Sequence, residues 1–349
     1  MPSMKSMFSV SAFVILSSGI MVTDRQASAE VNVVASIKPV HSLVAGVMAG
    51  VSTPELIIEG SGSPHTYALK PSQARQLQDA DLIFWVGNKI EPFLEKSIAG
   101  IASEDVSVAL SESHGLTKIK LREGADFEAH DDHDHADHDD DHDDGHEDHD
   151  EGHDDHDDHA DHADHDDHDE GHDDHDDSFD QHVWLDPVNA KAMVHTIEEA
   201  LVKADPGNAT LYEANAARMM TRLDILLEDV NAQLEPVKGE GYIVFHDAYQ
   251  YYEKRFGITA IGSITVSPEH LPGAKRVSEL QEKVRSLNAV CVFSEPQFEP
   301  KLVSVIVENT DAGTGVLDPL GAMIESGPDM YFALIRNMTT AVTDCLGGK

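Results

Sequence analysis

Histidine is the residue type most able to carry chemistry in this chain, and its 22 copies fall into two groups. Fifteen lie within residues 130–177: His130, His133, His135, His138, His142, His146, His149, His153, His156, His159, His162, His165, His168, His172 and His175. They recur among 27 Asp and Glu residues, with no Lys or Arg in the stretch. Neutral imidazole mixed with carboxylate is a ligand set for zinc- or nickel-type cations, so this tract is read as an auxiliary collector of weakly held, exchangeable metal ions. A run that served only solvation would not need an imidazole at every third or fourth position.

Outside the tract, two histidines and one aspartate stand where parallel sheets place their ligands, beyond the carboxyl ends of strands, and a third histidine stands ahead of a helix. His65 lies in a Gly/Ser/Pro loop after the run Glu55–Ile58. His246 follows Tyr242–Phe245 directly, and Asp318 follows Gly315–Leu317. His182 sits in Phe179-Asp180-Gln181-His182-Val183-Trp184, just ahead of Asp186-Pro187. Three imidazoles with one carboxylate or water form a tetrahedral N/O set suited to Zn2+. Taken singly, each has a structural reading as well: a lone histidine satisfied by a hydrogen bond, or Asp318-Pro319 as a turn. His41 and His195 fall within helical stretches, and His114 and His270 in loops without a partner at a matching position. These four stay outside the set.

The elements that must position these residues alternate strand and helix. Val31–Ser36, Glu55–Ile58 and Leu82–Val86 read as strands in the first part, with helices near Pro39–Ala49 and Pro71–Gln78. In the second part the strands are Tyr242–Phe245, Thr259–Ile264, Val290–Phe293 and Gly315–Leu317, and the helices Ala248–Phe256, Gly273–Leu287, Pro300–Glu308 and Asp329–Cys345. Short continuous apolar strands separated by helices indicate parallel sheets covered on both faces. Between the two blocks, Asp186-Pro187 supplies an N-cap and a first-position proline for a helix to about Lys203. Asn208–Glu235 then runs without Gly or Pro, about 40 Å of helix at 1.5 Å per residue. The fold class is therefore α/β: two lobes with parallel sheets, 30–207 and 237–349, joined by a long rigid helix over 208–236. The metal set lies in the cleft between the lobes.

Charge and composition exclude several roles. The 349 residues carry 24 Lys and Arg against 65 Asp and Glu, a formal charge of −41. Because the tract holds 27 of the acids and none of the bases, the remainder stands at −14. Nucleic acid is excluded as a partner, since a phosphate ligand needs a basic footprint, and an anionic membrane surface is disfavoured for the same reason. The tract, with almost nothing apolar to bury, is expected to be a disordered surface loop. Met1–Ala29 reads as a secretory signal, with Lys5 in a basic start, an apolar run from Phe8 to Val22 and cleavage after Ala27-Ser28-Ala29. Two cysteines, Cys291 and Cys345, fit an oxidising compartment. They are read as a staple holding the last helix to the sheet, against the alternative of two separate thiols.

At these residues the chain resembles the periplasmic zinc-binding proteins of bacterial ABC importers, the ZnuA-like branch of a cluster that also contains manganese binders. The stretches that carry the resemblance include Ser63-Pro64-His65-Thr66-Tyr67, His182-Val183-Trp184-Leu185-Asp186-Pro187, Phe245-His246-Asp247-Ala248-Tyr249, Phe293-Ser294-Glu295-Pro296-Gln297-Phe298 and Leu317-Asp318-Pro319-Leu320-Gly321. The resemblance implies that His65, His182 and His246 ligate the metal, and that Asp318 completes the site or stands beside a water. It also implies a disulfide between Cys291 and Cys345, a periplasmic location and a membrane permease as partner. Manganese binders place Glu where this chain has His246, so three imidazoles favour zinc. Some zinc members carry Glu just before the first histidine, where this chain has Pro64.

The resulting expectation is a monomeric, non-enzymatic binding protein that captures Zn2+ and delivers it to an ABC permease. A periplasmic zinc buffer or chaperone whose tract does the work is the alternative. A zinc hydrolase is the third reading, because three histidines with an open position also describe catalytic zinc. Against it, the sequence has no helix-borne His-Glu pair, nucleophile elbow or oxyanion motif.

Overall fold

Short strands of two to six residues, the central ones largely apolar, alternate with helices and build two parallel sheets. The computed structural model describes residues 31–101, 106–122, 127, 179–265, 272–286, 289–299 and 301–348. The expected signal segment Met1–Ala29, the tract at 130–177 and His270 lie outside the described residues.

Strands β1 (Val33–Ala35), β2 (Glu55–Leu56), β3 (Leu82–Trp85) and β4 (Ser107–Ala109) form the first sheet, in the order β2-β1-β3-β4. Strands β5 (Tyr242–His246), β6 (Ala260–Thr265), β7 (Cys291–Ser294) and β8 (Gly313–Val316) form the second, in the order β6-β5-β7-β8. All pairings between named strands are parallel. The central strands are buried along their length, which is why they read as unbroken apolar runs instead of alternating ones. In each sheet the order reverses beside the first strand. That switch point, between β1 and β3 or between β5 and β7, is where an open parallel sheet leaves a crevice at its carboxyl edge.

The helices are α1 (Lys38–Val47), α2 (Pro71–Asp79), α3 (Pro92–Ile101), α4 (Pro187–Ala204), α5 (Ala209–Leu234), α6 (Gln250–Phe256), α7 (Ala274–Ser286), α8 (Lys301–Ile306) and α9 (Met330–Leu346). The expected N-cap of α4 is present, the Asp186 side chain accepting from Val188 N with Pro187 in the first turn. Helix α5 has 26 residues, about 39 Å. It does not stand clear as a bare connector, because it packs along α1, α4 and α9 and buries Met219, Leu223, Leu226, Val230 and Leu234. Gly46 lets α1 approach it closely: a Cβ there would meet Met219 Sδ at 2.6 Å. Arg222–Asp329 and Arg336–Asp229 ion pairs join α5 to the α9 segment along the surface. The cysteines are bridged, Cys291 of β7 to Cys345 of α9, with Cα atoms 6.1 Å apart.

Two elements exceed the sequence reading, α3 and β4. Two strand ends also shift: His246 is the last residue of β5 and not the first beyond it, and Asp318 lies two residues past the end of β8. Among the described residues, no helix is long and apolar enough to cross a membrane.

Candidate metal centre

The loop bearing His65 is shaped by a one-turn helix, Pro64–Thr66, and anchored by Gln73, whose amide donates to Ile57 O at 2.6 Å and to Tyr67 Oη at 2.9 Å. His182 immediately precedes the turn Val183–Leu185 that leads into α4. His246 ends β5 at the switch point of the second sheet. These three elements bring the rings together, with centroids 5.5 Å (His65–His182), 5.8 Å (His65–His246) and 5.4 Å (His182–His246) apart. One ring nitrogen from each lies within 4.8 Å of the other two, a set able to hold a metal ion.

Two of the rings are oriented from behind. His182 Nδ1 lies 2.6 Å from Asp180 Oδ1, which also accepts the His182 backbone N–H. His246 Nδ1 lies 2.7 Å from Glu295 Oε1. Both carboxylates are buried, and an ionised carboxylate only accepts, so each Nδ1 carries the proton and each Nε2 keeps its lone pair. Those two Nε2 atoms are buried without a hydrogen-bond partner among the described residues. Leaving a buried polar atom unpaired costs about 1–3 kcal/mol, and a cation shared by both lone pairs accounts for the arrangement. The donor set therefore fits a zinc-type ion.

The charges tell the same story. Burial, and then the neighbouring His182 and His246, hold the His65 imidazole down at about 2, so it is neutral and open to a metal. Burial also opposes the charged form of His246, but Glu295, Asp247 and Asp180 outweigh it and raise the His246 pKa. Further back, Arg122 pairs with Asp247 at 2.8 Å and with Glu253 at 2.7 Å. Gln250 links that pair to the site, donating to Asp180 Oδ2 at 3.3 Å.

Asp318 is not brought into the cluster. Its Oδ1 accepts from Leu320 N, Gly321 N and Gln297 Nε2 at 3.1, 2.9 and 3.1 Å, and its Oδ2 accepts from Ala322 N at 2.6 Å. Gly321, at φ +68, supplies the left-handed residue of this turn. The turn is held from outside by Trp184 Nε1 donating to Pro319 O at 2.9 Å and by Lys38 Nζ donating to the carbonyls of Gly321, Ala322 and Ile324. His41, buried in α1, has Nε2 3.0 Å from Pro54 O. His195 is exposed on α4, and His114 lies in an exposed turn, so neither joins the cluster.

The cavity among the three rings, walled by Trp184, Phe298 and Pro319, has a volume of about 10 Å³. That is room for one water-sized sphere. The sequence reading did not pick out Asp180 and Glu295 as orienting groups. Asp180 was two residues from His182. Glu295 is 49 residues from His246, and only the pairing of β5 with β7 makes the ends of those strands neighbours.

Comparison with known proteins places this geometry. The family model of the zinc-uptake complex component A, periplasmic (ZnuA), matches residues 33–345. The chain belongs to the ZnuA family. The high-affinity zinc uptake system protein ZnuA of Brucella abortus (strain 2308) is 54% identical over 314 residues, covering 90% of this chain and 91% of its own. The protein of the same description from Paracoccus denitrificans (strain Pd 1222) is 41% identical, covering 92% and 94%. Among solved structures, a crystal structure of ZnuA superposes with a TM-score of 0.64 at 23% identity, covering 89% of this chain and 99% of that one. A 138–173 deletion mutant of ZnuA with zinc bound gives 0.65 at 22% identity, covering 90% and 97%. At these identities the superpositions establish the ZnuA fold.

Proposed function

We propose that this protein is the zinc-capturing component of an ABC importer, holding Zn2+ on His65, His182 and His246 and delivering it to a membrane permease. The observation that carries this reading is the convergence of three imidazoles, two of them with buried, unpartnered Nε2 atoms held in place by carboxylates. Family membership and the naming of relatives as high-affinity zinc uptake proteins support it. Export to the periplasm with cleavage after Ala29, action as a monomer, and the two lobes 30–207 and 237–349 joined by 208–236 belong to the same reading. The tract at 130–177 serves as an auxiliary collector or sensor.

A binding role is favoured over hydrolysis by size: the enclosed space among the three rings is about 10 Å³, enough for an ion or a water. The packing of α5 against α1, α4 and α9 favours release through small loop or lobe shifts over wide hinge closure. Titration of zinc against a competing chelator tests the site. His65→Ala, His182→Ala and His246→Ala should each abolish the single tight equivalent while leaving weak binding by the tract. Tight binding that survives all three substitutions would reject the assignment. Loss of tight binding on deletion of 130–177 would favour the buffer reading.

A further inference from the structure

Three imidazoles leave one position of a tetrahedral ion open, and Asp318 is engaged by the amides of its own turn. Asp318 Oδ1 receives three donors, the amides of Leu320 and Gly321 and the side chain of Gln297, and Oδ2 receives the amide of Ala322. Glu295 lines the same cavity but is bonded to the Nδ1 side of His246, behind the ring and opposite the nitrogen that faces the cluster.

Gln297 differs from both. It lines the cavity with the three histidines. Its Nε2 donates to Asp318 Oδ1 at 3.1 Å, and since a carboxylate only accepts, the amide orientation is fixed and Oε1 points away from Asp318. That Oε1 is buried and has no hydrogen-bond partner among the described residues. The segment around it is held by Phe298 N, which donates to Glu295 O at 3.1 Å, and by the Phe298 ring, which stacks on Phe245 at 4.5 Å. We infer that Gln297 supplies the fourth position of the site, its side-chain carbonyl oxygen binding the ion, while Asp318 positions the amide. An amide oxygen beside three imidazoles keeps the N/O character that suits zinc. It also leaves the site one negative charge poorer than a carboxylate would.

This inference rests on the three-histidine reading, and the test separates the two. In the full chain, Gln297→Leu and Gln297→Asn are compared with the parent for zinc affinity by chelator competition and for melting temperature without metal. The asparagine variant keeps the amide but withdraws it by one methylene, and so perturbs packing least. Separately, the 13Cδ resonance of Gln297 in the parent chain, assigned by its absence from the leucine variant or otherwise from the asparagine variant, is followed as one equivalent of zinc is added. The expected result is an affinity loss of about tenfold or more in both variants, little change in metal-free melting, and a carbonyl shift on zinc addition. Parent-like affinity in either variant overturns the inference, and so does a carbonyl carbon that stays in place. If His246→Ala abolishes tight binding while the Gln297 variants do not alter it, only the fourth position fails. If none of them alters it, the histidine site itself fails.

Discussion

Glu295→Gln probes how the site is tuned from behind. The parent carboxylate is 2% exposed and its Oε1 lies 2.7 Å from His246 Nδ1. A hydrogen bond to a charged group contributes about 1.5–3 kcal/mol against about 1 for a neutral one. Replacing the carboxylate by an amide of the same shape should therefore weaken the imidazole's donation by about 1–2 kcal/mol, roughly fivefold to thirtyfold in zinc affinity. The pH dependence adds a second constraint. Burial pushes the His246 pKa down, but Glu295 and its acidic neighbours raise it overall, so protons displace metal as the pH falls through that raised value. In Glu295→Gln the strongest raising partner is gone, the pKa drops and proton competition begins at lower pH. The penalty should be largest at about pH 8 and narrow toward acid. Chelator competition for the first equivalent of zinc, run on parent and variant across this range, is the assay. A variant within twofold of the parent at pH 8, or a gap that widens toward acid, would refute the reasoning.

Two further outcomes are expected. Glu91 is fully buried, and that burial lifts its carboxyl to about 7 from an ordinary 4.5, eased by the Ser36 hydroxyl and the amides of Val86 and Gly87. Its contribution is complete below pH 4.5 and lost as pH rises toward 7, an effect of about 3 kcal/mol. Glu91→Gln should thus raise metal-free stability at pH 8 and match the parent near pH 4.5, and parallel melting curves across that window would count against it. Reducing the Cys291–Cys345 bridge, which spans 54 residues, should lower stability by about 4 kcal/mol in the chain-entropy model. Urea unfolding that finds less than about 1 kcal/mol would place the staple outside the stabilising core.

Much of this architecture was legible because the central strands are buried on both faces and announce themselves as apolar runs, as Leu82–Trp85 and Tyr242–His246 do. Strand β4 was not legible. Ser107–Ala109 is three residues at a sheet edge, set by its pairing with β3 and not by its own propensity. His65 and His246 were found from their places after strands, since that rule needs only the strand positions, whereas His182 stands ahead of α4. Glu295 and Gln297 required the order of strands as well: they follow β7, which stands beside β5 and His246. Asp318 shows the limit of position alone. It lies near the end of β8 as expected, but the turn that Asp318-Pro319 also suggests is the one that forms, and it folds the amides of Leu320, Gly321 and Ala322 onto the carboxylate.

A single zinc ion held by imidazoles from His65, His182 and His246 would have a first shell dominated by nitrogen. Zinc K-edge X-ray absorption on the full chain loaded with one equivalent of zinc tests this most directly. Three imidazole nitrogens at about 2.0–2.1 Å with one oxygen are expected in the parent, and an altered first shell richer in oxygen in His246→Ala, where the tight site is lost and the ion passes to the tract. A parent first shell dominated by oxygen, or one that is unchanged by His246→Ala, would contradict it.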